Sequence, residues 1–180
     1  TATRRPPGRS DTSPTARAPL HADTWEWNGR EWRERITPNR PQGRIDHGLV
    51  YDSNRRRVVL FGGEAEKVIQ GSTFLEPVAQ TWELDGTNWV ARTLPLEPAP
   101  RAHPLLVYDA VRRRVLLRAG DVRAGVLAPD TWAFDGAGWV KLDDAAAPPF
   151  ERSSSAVWDA TSQRVTVFTP SAGVWTFDGQ

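Results

Sequence analysis

Short apolar segments alternate with polar, turn-rich segments along most of this 180-residue chain. The apolar segments are rich in β-branched and aromatic residues, which favour strands. Residues 57–61, Arg-Val-Val-Leu-Phe, are apolar at successive positions, which predicts a strand covered on both faces. No apolar run approaches the ~18 residues that a membrane-spanning helix needs. The pattern therefore predicts an all-β protein of short antiparallel strands, without a membrane span.

A phrase that begins Thr-Trp, continues to Asp-Gly or Asn-Gly and ends in Trp recurs along the chain. Its copies span residues 24–32, 81–89 and 131–139, with a shorter fourth copy at 174–180. Asp-Gly or Asn-Gly between two apolar segments is a strong hairpin signal, because its turn residues tolerate positive φ. Hairpin turns are therefore predicted at Asp85-Gly86 and Asp135-Gly136.

A second phrase, Val-Tyr-Asp or Val-Trp-Asp, is followed by an Arg that opens another apolar segment. The step from Asp to Arg is the same in all three copies, which begin at Val50, Val107 and Val157. This fixed step predicts a second hairpin. The two hairpins together predict units of four antiparallel strands, a to d. In the first complete unit these cover residues 48–51, 57–61, 81–84 and 89–92.

Repeated four-stranded units that cannot bury their faces alone are typical of β-propeller blades. The b–c connection shortens from residues 64–80 to 121–130 to 171–173, so length variation collects on the face that carries the b–c and d–a loops. This makes it the predicted binding face. The predicted organisation is an Arg-, Pro-, Ser- and Thr-rich tail (1–22), a partial blade (23–36), blades at about 44–93 and 101–142, and an incomplete blade (152–180).

Three features carry a resemblance to a known family. Arg44, Arg101 and Arg152 precede strand a, Gly62-Gly63 follows strand b, and an aromatic residue and a Trp face each other across the c–d turn. Over residues 23–180 the chain resembles the kelch repeats, the propeller type of the galactose oxidase central domain, and most of all divergent bacterial kelch-like repeats. The resemblance implies a segment of about three four-stranded blades, an incomplete ring in one chain. It also implies a non-catalytic module for protein–protein interaction or assembly.

The candidate binding residues belong to the predicted loop face. Arg44, Arg101 and Arg152 present guanidinium groups either to an anionic ligand or to loop carbonyls of the next blade. Arg118 stands where Phe61 and Phe168 stand in the other units, so it either reaches to solvent or pairs with an acid. The 64–80 loop is more apolar than a solvated loop requires, either to cover the propeller face or to receive a partner. Its apolar residues are Val68, Ile69, Phe74, Leu75 and Val78.

The alternative function is a glycan-binding or glycan-processing, sialidase-like propeller. The sialidase Asp-box spacing fails by one residue, because Gly86 directly follows Asp85. The nine Trp fall into repeated columns, which favours packing between blades over sugar stacking. The variable loops carry carboxylates such as Glu64 and Asp121, but no Trp or Tyr.

Composition excludes several kinds of chemistry. The chain has no Cys, so disulfides, thiolate zinc sites and the Cys-crosslinked Tyr of galactose oxidase are excluded. His47 and His103 lie in different registers of the repeat, so no metal site, cofactor or enzyme activity is predicted. The 23 Lys and Arg residues nearly balance 22 Asp and Glu residues, which argues against nucleic-acid binding.

The last unit lacks a strand d in the sequence, and an open strand edge invites another strand. Strand d of the first, partial unit, from Trp32 to Ile36, has the sequence to fill it. Two chains that exchange this strand would form a homodimer of about six blades. The alternative is that a longer parent chain or a protein partner supplies the further blades.

Overall fold

The computed structural model describes residues 18–123, 126–143 and 149–178. Within these ranges the chain forms β-strands and no helix, so nothing there could cross a membrane as a helix, and the all-β prediction is confirmed. The predicted tail (1–22) falls largely outside the described residues, as does Gly179 of the last Asp-Gly turn. The strands are β1 (Thr24–Trp27), β2 (Trp32–Arg35), β3 (Arg44–Ile45), β4 (Gly48–Asp52), β5 (Arg57–Phe61), β6 (Glu64–Ile69), β7 (Ser72–Pro77), β8 (Thr81–Leu84), β9 (Trp89–Ala91), β10 (Leu105–Asp109), β11 (Arg114–Arg118), β12 (Asp121–Arg123), β13 (Val126–Leu127), β14 (Thr131–Phe134), β15 (Trp139–Leu142), β16 (Ser155–Asp159), β17 (Arg164–Thr169) and β18 (Gly173–Phe177).

The predicted strands a to d pair in sequence order. Sheet I contains β4, β5, β8 and β9, and sheet II contains β10, β11, β14 and β15, each fully antiparallel. Sheet III contains β16, β17 and β18, and β1 pairs with β2 in an N-terminal hairpin. The first strands of the three sheets lie side by side, with β10 between β4 and β16. Three successive units thus stack against one another in chain order.

The predicted c–d hairpins are present, but their turns are longer than a two-residue turn. Leu84 pairs with Trp89, so residues 85–88 form the loop. Gly86 has a φ of 91°, while the Asp85 carboxylate accepts hydrogen bonds from the backbone amides of Thr87 (2.8 Å) and Asn88 (2.9 Å). The Asp therefore holds the turn through its side chain, as Asp commonly does in turns, rather than by adopting positive φ.

The constant Asp-to-Arg step of the a–b turns also has a local cause. Asp52 is fully buried, and its Oδ1 accepts a hydrogen bond from the backbone amide of Arg55 (3.0 Å). Asp109 is buried in the same way and accepts from the Arg112 amide (2.9 Å). The residue before the closing Arg adopts positive φ in every copy. These residues are Arg56 (55°), Arg113 (55°) and Gln163 (56°). A turn closed in this way fixes its own length.

The double glycine after strand b marks a left-handed stretch of backbone. Gly62 and Gly63 have φ values of 70° and 92°, and a Cβ on Gly63 would lie 2.6 Å from the carbonyl oxygen of Ile45. Ala119 adopts the same conformation as Gly62 with a φ of 55°, and it is fully buried. Gly120 keeps the second position, because a Cβ there would lie 2.9 Å from the Arg101 side chain. In the first unit both glycines are needed, because a Cβ on Gly62 would lie 2.5 Å from the Arg101 carbonyl oxygen. In the second unit close approach requires only the second glycine.

The core lies between the sheets. Val59 and Phe61 of sheet I pack against sheet II, where Phe134 and Trp139 are also buried. The Phe61 ring meets the Trp139 ring edge-on at 5.3 Å, and the Trp139 indole donates a 2.9 Å hydrogen bond to the Thr81 hydroxyl of sheet I. A second core joins sheets II and III. The repeated Trp residues therefore pack between successive units, as predicted, where a neighbouring sheet is present.

This packing predicts that adjacent residues of β15 differ sharply in their effect on stability. Trp139→Ala removes a buried indole and its hydrogen bond, so we expect it to lower the free energy of unfolding by about 3–5 kcal/mol. Val140→Ala, on the exposed side of the same strand, should change it by about 0.5 kcal/mol or less. Urea unfolding followed by circular dichroism measures both. Equal losses would contradict the role given to the inter-sheet core.

Candidate interaction surface

The segment 64–80, which the sequence predicts as an apolar loop, forms a β-hairpin instead. β6 pairs with β7 from Glu64↔Pro77 to Ile69↔Ser72, and the turn residues Gln70 and Gly71 have φ values of 50° and 80°. Positive φ at both turn residues is the type I′ geometry, which matches the twist of two paired strands. Gln70-Gly71 between β-branched and aromatic residues is the sequence signal for this hairpin. A hairpin, unlike an irregular loop, presents its side chains in a fixed arrangement.

The end of this hairpin is apolar on both sides. Directly paired residues share one side of the strands, so Val68 lies on one side with Thr73, while Ile69 and Phe74 lie on the other. Val68 is 68% exposed and Phe74 is 49% exposed, and Ile69 is exposed as well. Leu75 lies nearer the base and is half-buried. We call Val68, Ile69 and Phe74 the apolar tip.

A second hairpin beside the first carries further exposed apolar side chains. Residues 121–130, also predicted as a loop, contain β12 and β13, and β12 lies against β7. Val126 and Leu127 on β13 are exposed. The apolar tip together with Val126 and Leu127 is called the hairpin surface below. It lies on the b–c connections, which the sequence predicts as the binding face.

Arg44 anchors the base of the first hairpin. Its guanidinium donates to the carbonyls of Gln42 (3.1 Å) and Gly62 (3.1 Å) and to the side-chain oxygen of Gln80 (3.4 Å). Its backbone pairs with Ala65 of β6. Arg44 is buried, and this burial lowers the pKa of its guanidinium. The side chain thus joins the two ends of the b–c connection of its own unit rather than carbonyls of the next one.

Arg101 repeats this arrangement in the following unit, with a carboxylate in place of Gln80. It is fully buried and donates to the carbonyls of Ala99 (2.9 Å) and Ala119 (3.1 Å). Its Nη1 also lies 2.5 Å from Oδ1 of Asp130, whose Oδ2 accepts from the Trp132 indole (2.8 Å). Burial acts to raise the pKa of Asp130, but the hydrogen bonds from Arg101 and Trp132 outweigh it and lower the pKa. The ion pair closes the b–c connection of sheet II.

The remaining two predicted arginines lie elsewhere. Arg152 is half-exposed and forms an ion pair with Asp121 at the start of the second hairpin. Arg118 lies between sheets II and III, beside Leu105 and Thr131, and its guanidinium donates to the Pro129 carbonyl. The structure therefore gathers Arg44, Arg101 and Arg152 at the bases of the b–c connections. It places Phe74 at the hairpin end.

A charged cluster at the opposite end of the sheets has no counterpart in the sequence predictions. A cleft of about 510 Å³ between sheets I and II is lined by the residues Arg55, Arg57, Glu83, Asp85, Val90, Arg92 and Gly136. Glu83 is buried and bonds both Arg55 and Arg92, the latter at 2.8 Å. Burial acts to lower the pKa of Arg55, but its bonds to Glu83 and Asp52 raise it.

This charged cluster ties sheet I to the c–d turn of sheet II. Arg92 donates a 2.9 Å hydrogen bond to the Gly136 carbonyl, and the Arg55 guanidinium lies 4.9 Å from the centre of the Phe134 ring. Every guanidinium and carboxylate named here is engaged within the protein. The cluster is therefore a connection between units rather than a vacant site. A Glu at this position of the phrase, shared by Glu26 and Glu83 but replaced by Ala133 and Thr176, is its one sequence signal.

Comparison with known proteins gives no family assignment. No protein-family model matches the chain, and a search of curated proteins finds no significant match. Within residues 18–123, 126–143 and 149–178, no group of three or more His, Asp or Glu side chains is placed to hold a metal ion. The interpretation of the surface therefore depends on its geometry.

The Arg101–Asp130 pair makes stability depend on pH. The pKa of Asp130 is lowered in the folded chain, so the stability from this pair is present above the usual pKa of 3.8 and declines as pH falls below it. We expect Asp130→Asn to cost about 2–3 kcal/mol at neutral pH, because it leaves the buried Arg101 guanidinium without a counter-charge. The cost should shrink in urea unfolding at about pH 3.

The matched control is Gln80→Ala. Gln80 occupies the position of Asp130 in the first unit, where it accepts hydrogen bonds from Arg44 and Trp82 without carrying a charge. The cost of Gln80→Ala should be the same at both pH values, because no proton is exchanged at that position. A cost of Asp130→Asn that does not change with pH would contradict the charge assigned to this pair.

Proposed function

We propose that sheets I, II and III are consecutive blades of a kelch-like β-propeller and that the hairpin surface binds a protein. The architecture is supported by the order of strands in each sheet and by the side-by-side first strands β4, β10 and β16. It is also supported by the repeated Trp-to-Thr hydrogen bond between successive units, Trp139 to Thr81 and Trp89 to Thr24, both 2.9 Å.

The exposed apolar tip is the observation that carries the binding proposal. Protein interfaces concentrate aromatic and aliphatic side chains at their centres, surrounded by polar residues. Phe74 and Ile69 form such a centre, and the Lys67–Glu76 ion pair (2.6 Å) lies beside them on the hairpin. Exposed apolar side chains grouped on one projecting element are a common mark of a contact site.

The bases of the hairpins make the surface rigid. The first hairpin is held by β3 and by the hydrogen bond from Gln42 Nε2 to the Glu66 carbonyl (2.8 Å). The Val78 amide donates to the Gly63 carbonyl (2.9 Å), which closes the base on the other strand. A rigid element loses little conformational entropy on binding, so its apolar contacts contribute more to affinity.

The function is that of a binding module rather than an enzyme. The charged groups nearest the hairpin surface, Arg44, Arg101 and Asp130, are committed to the loop anchors. Their arrangement explains the positions of the repeated arginines without a substrate. The projecting surface beyond them is apolar, which suits a protein partner better than a hydrophilic glycan.

A paired binding screen tests this proposal. The 180-residue chain is screened against a displayed peptide library and a glycan array, and the same screens are run with Phe74→Ser and Val140→Ser. We expect peptide ligands whose affinity falls roughly thirtyfold with Phe74→Ser, the effect of losing a central aromatic contact. Val140→Ser alters an exposed valine away from the hairpins and should leave binding unchanged.

Two outcomes would contradict the proposal. Peptides that bind equally well to the Phe74→Ser variant would place the contact elsewhere on the protein. Glycan ligands without any peptide ligand would favour the alternative, a glycan-binding propeller. Circular dichroism of both variants shows that each remains folded.

A further inference from the structure

The upstream face of sheet I, which is the face turned toward the preceding unit, is only half covered. The N-terminal hairpin covers its outer strands, where the Trp89 indole donates to the Thr24 hydroxyl. On its first strand, Tyr51 is 54% exposed and Leu49 is exposed as well. Tyr108, the counterpart of Tyr51 in sheet II, is 8% exposed because sheet I covers it. The contact between sheets I and II therefore shows what would cover the upstream face of sheet I, namely the first two strands of a preceding unit.

A pocket of about 170 Å³ opens at this uncovered place. Its walls include Trp25, Arg44, His47, Leu49, Leu60 and Trp89. Between sheets I and II, the corresponding space against Trp139 holds the ring of Phe61, which is fully buried. The pocket beside Trp89 therefore lies where an aromatic side chain from strand b of a neighbouring unit would pack, as Phe61 packs against Trp139.

Sheet III exposes the matching residue. Phe168 on β17 occupies the column of Phe61 and is 50% exposed. Val157 on β16, the counterpart of the half-buried Val50, is exposed beside it. The face of sheet III turned away from sheet II thus carries Val157 and Phe168 at the positions of Val50 and Phe61. Thr166 stands at the position of Val59.

We propose that sheet III of one chain docks on the upstream face of sheet I of a second copy, with Phe168 in the pocket beside Trp89. The contact repeats the geometry that the chain already uses twice internally, between sheets I and II and between sheets II and III. Each copy offers one face of each kind, so two copies satisfy both contacts in a closed, two-fold dimer. The proposal is independent of the partner-binding role of the hairpin surface.

Docking also determines which strands pair. It brings β17 beside β1 of the second copy, in the position that β18 holds in the single chain. Both strands carry the same phrase, but β1 begins with Thr24, as β8 and β14 begin with Thr81 and Thr131, whereas β18 has Val174 there. The Thr24 hydroxyl is already bonded to Trp89, which anchors β1. The N-terminal hairpin of the second copy therefore replaces β18 and completes a four-stranded sheet.

Engineered cysteines test the strand exchange, since the chain has no native Cys. Thr166 pairs with Thr176 in the single chain, and Glu26 holds the place of Thr176 in β1. Paired residues of adjacent strands lie within disulfide distance. Under oxidation we expect T166C/E26C to form a covalent dimer, while T166C/T176C reports the competing single-chain pairing as a cross-linked monomer.

Sedimentation equilibrium of the 180-residue chain provides the second measurement. We expect a species of twice the 20.1 kDa chain mass. Phe168→Ser should raise the dimer dissociation constant roughly thirtyfold, while Val140→Ser should leave it unchanged. Both positions are exposed in the single chain, so circular dichroism should show both variants folded. A monomer at every concentration, a dimer insensitive to Phe168→Ser, or a dimer without the T166C/E26C cross-link would overturn the proposal.

Discussion

Sheets I and II are apolar on both faces, and the structure depends on covering those faces with neighbouring sheets. Sheet II is covered on both faces. Val115, Leu117 and Phe134 are fully buried against sheet I, and the opposite face is buried against sheet III at Val107, Leu116 and Ala133. A single four-stranded sheet leaves such residues in water, at a cost of about 1.5–3 kcal/mol for each large side chain. The repeat is therefore a requirement of stability as well as a pattern in the sequence, because one unit supplies half of each interface.

The inter-sheet contact explains which parts of the unit vary. The a–b and c–d turns are closed by buried or turn-holding carboxylates, so their lengths are constant. The b–c connection lies outside the core between the sheets. It is held near its base by Arg44 or Arg101 and, in the first unit, also by its pairing with β3. Such a connection can lengthen into the 64–69 and 72–77 strands without disturbing the sheets. The most variable segment of the unit is thereby also the one that projects a new surface.

Much of the fold follows from the sequence because its signals are local. Strands β4, β5 and β8 have the predicted bounds to within one residue, since each lies beside a turn with a fixed Asp or Gly. The hairpin of β6 and β7 is missed because its turn, Gln70-Gly71, occurs once and lacks the Asp or Asn of the repeat. Of the hairpin surface, the sequence predicts Val68, Ile69 and Phe74 as apolar loop residues but does not predict Val126 and Leu127. The shape of this surface depends on two connections that meet only in the folded chain.

The charged cluster around Glu83 is not predicted from the sequence either, but for a reason that differs from that of the β6–β7 hairpin. Its arginines come from an a–b turn and from the end of strand d, and each looks like a solvent-exposed charge in its own segment. Burial of Glu83 requires both arginines at once, because a buried carboxylate without partners is strongly unfavourable. Such a set of three residues is recognisable only when the a–b turn is placed beside strands β8 and β9 of the folded sheet I. Arg101 and Asp130, 29 positions apart in the chain, present the same difficulty.

The repeated tryptophans show that a column in the sequence specifies a position but not its burial. Trp89 and Trp139 open strand d and are buried, whereas Trp32 in the same column is exposed. The difference follows from the neighbour, because Trp89 and Trp139 each reach the Thr of a preceding unit that is present. Comparing the exposure of equivalent residues in successive units therefore shows which sheet faces have a neighbouring sheet and which do not. The same comparison distinguishes Phe61 from Phe168 and Tyr108 from Tyr51, so the two uncovered faces are defined by the protein's own internal contacts.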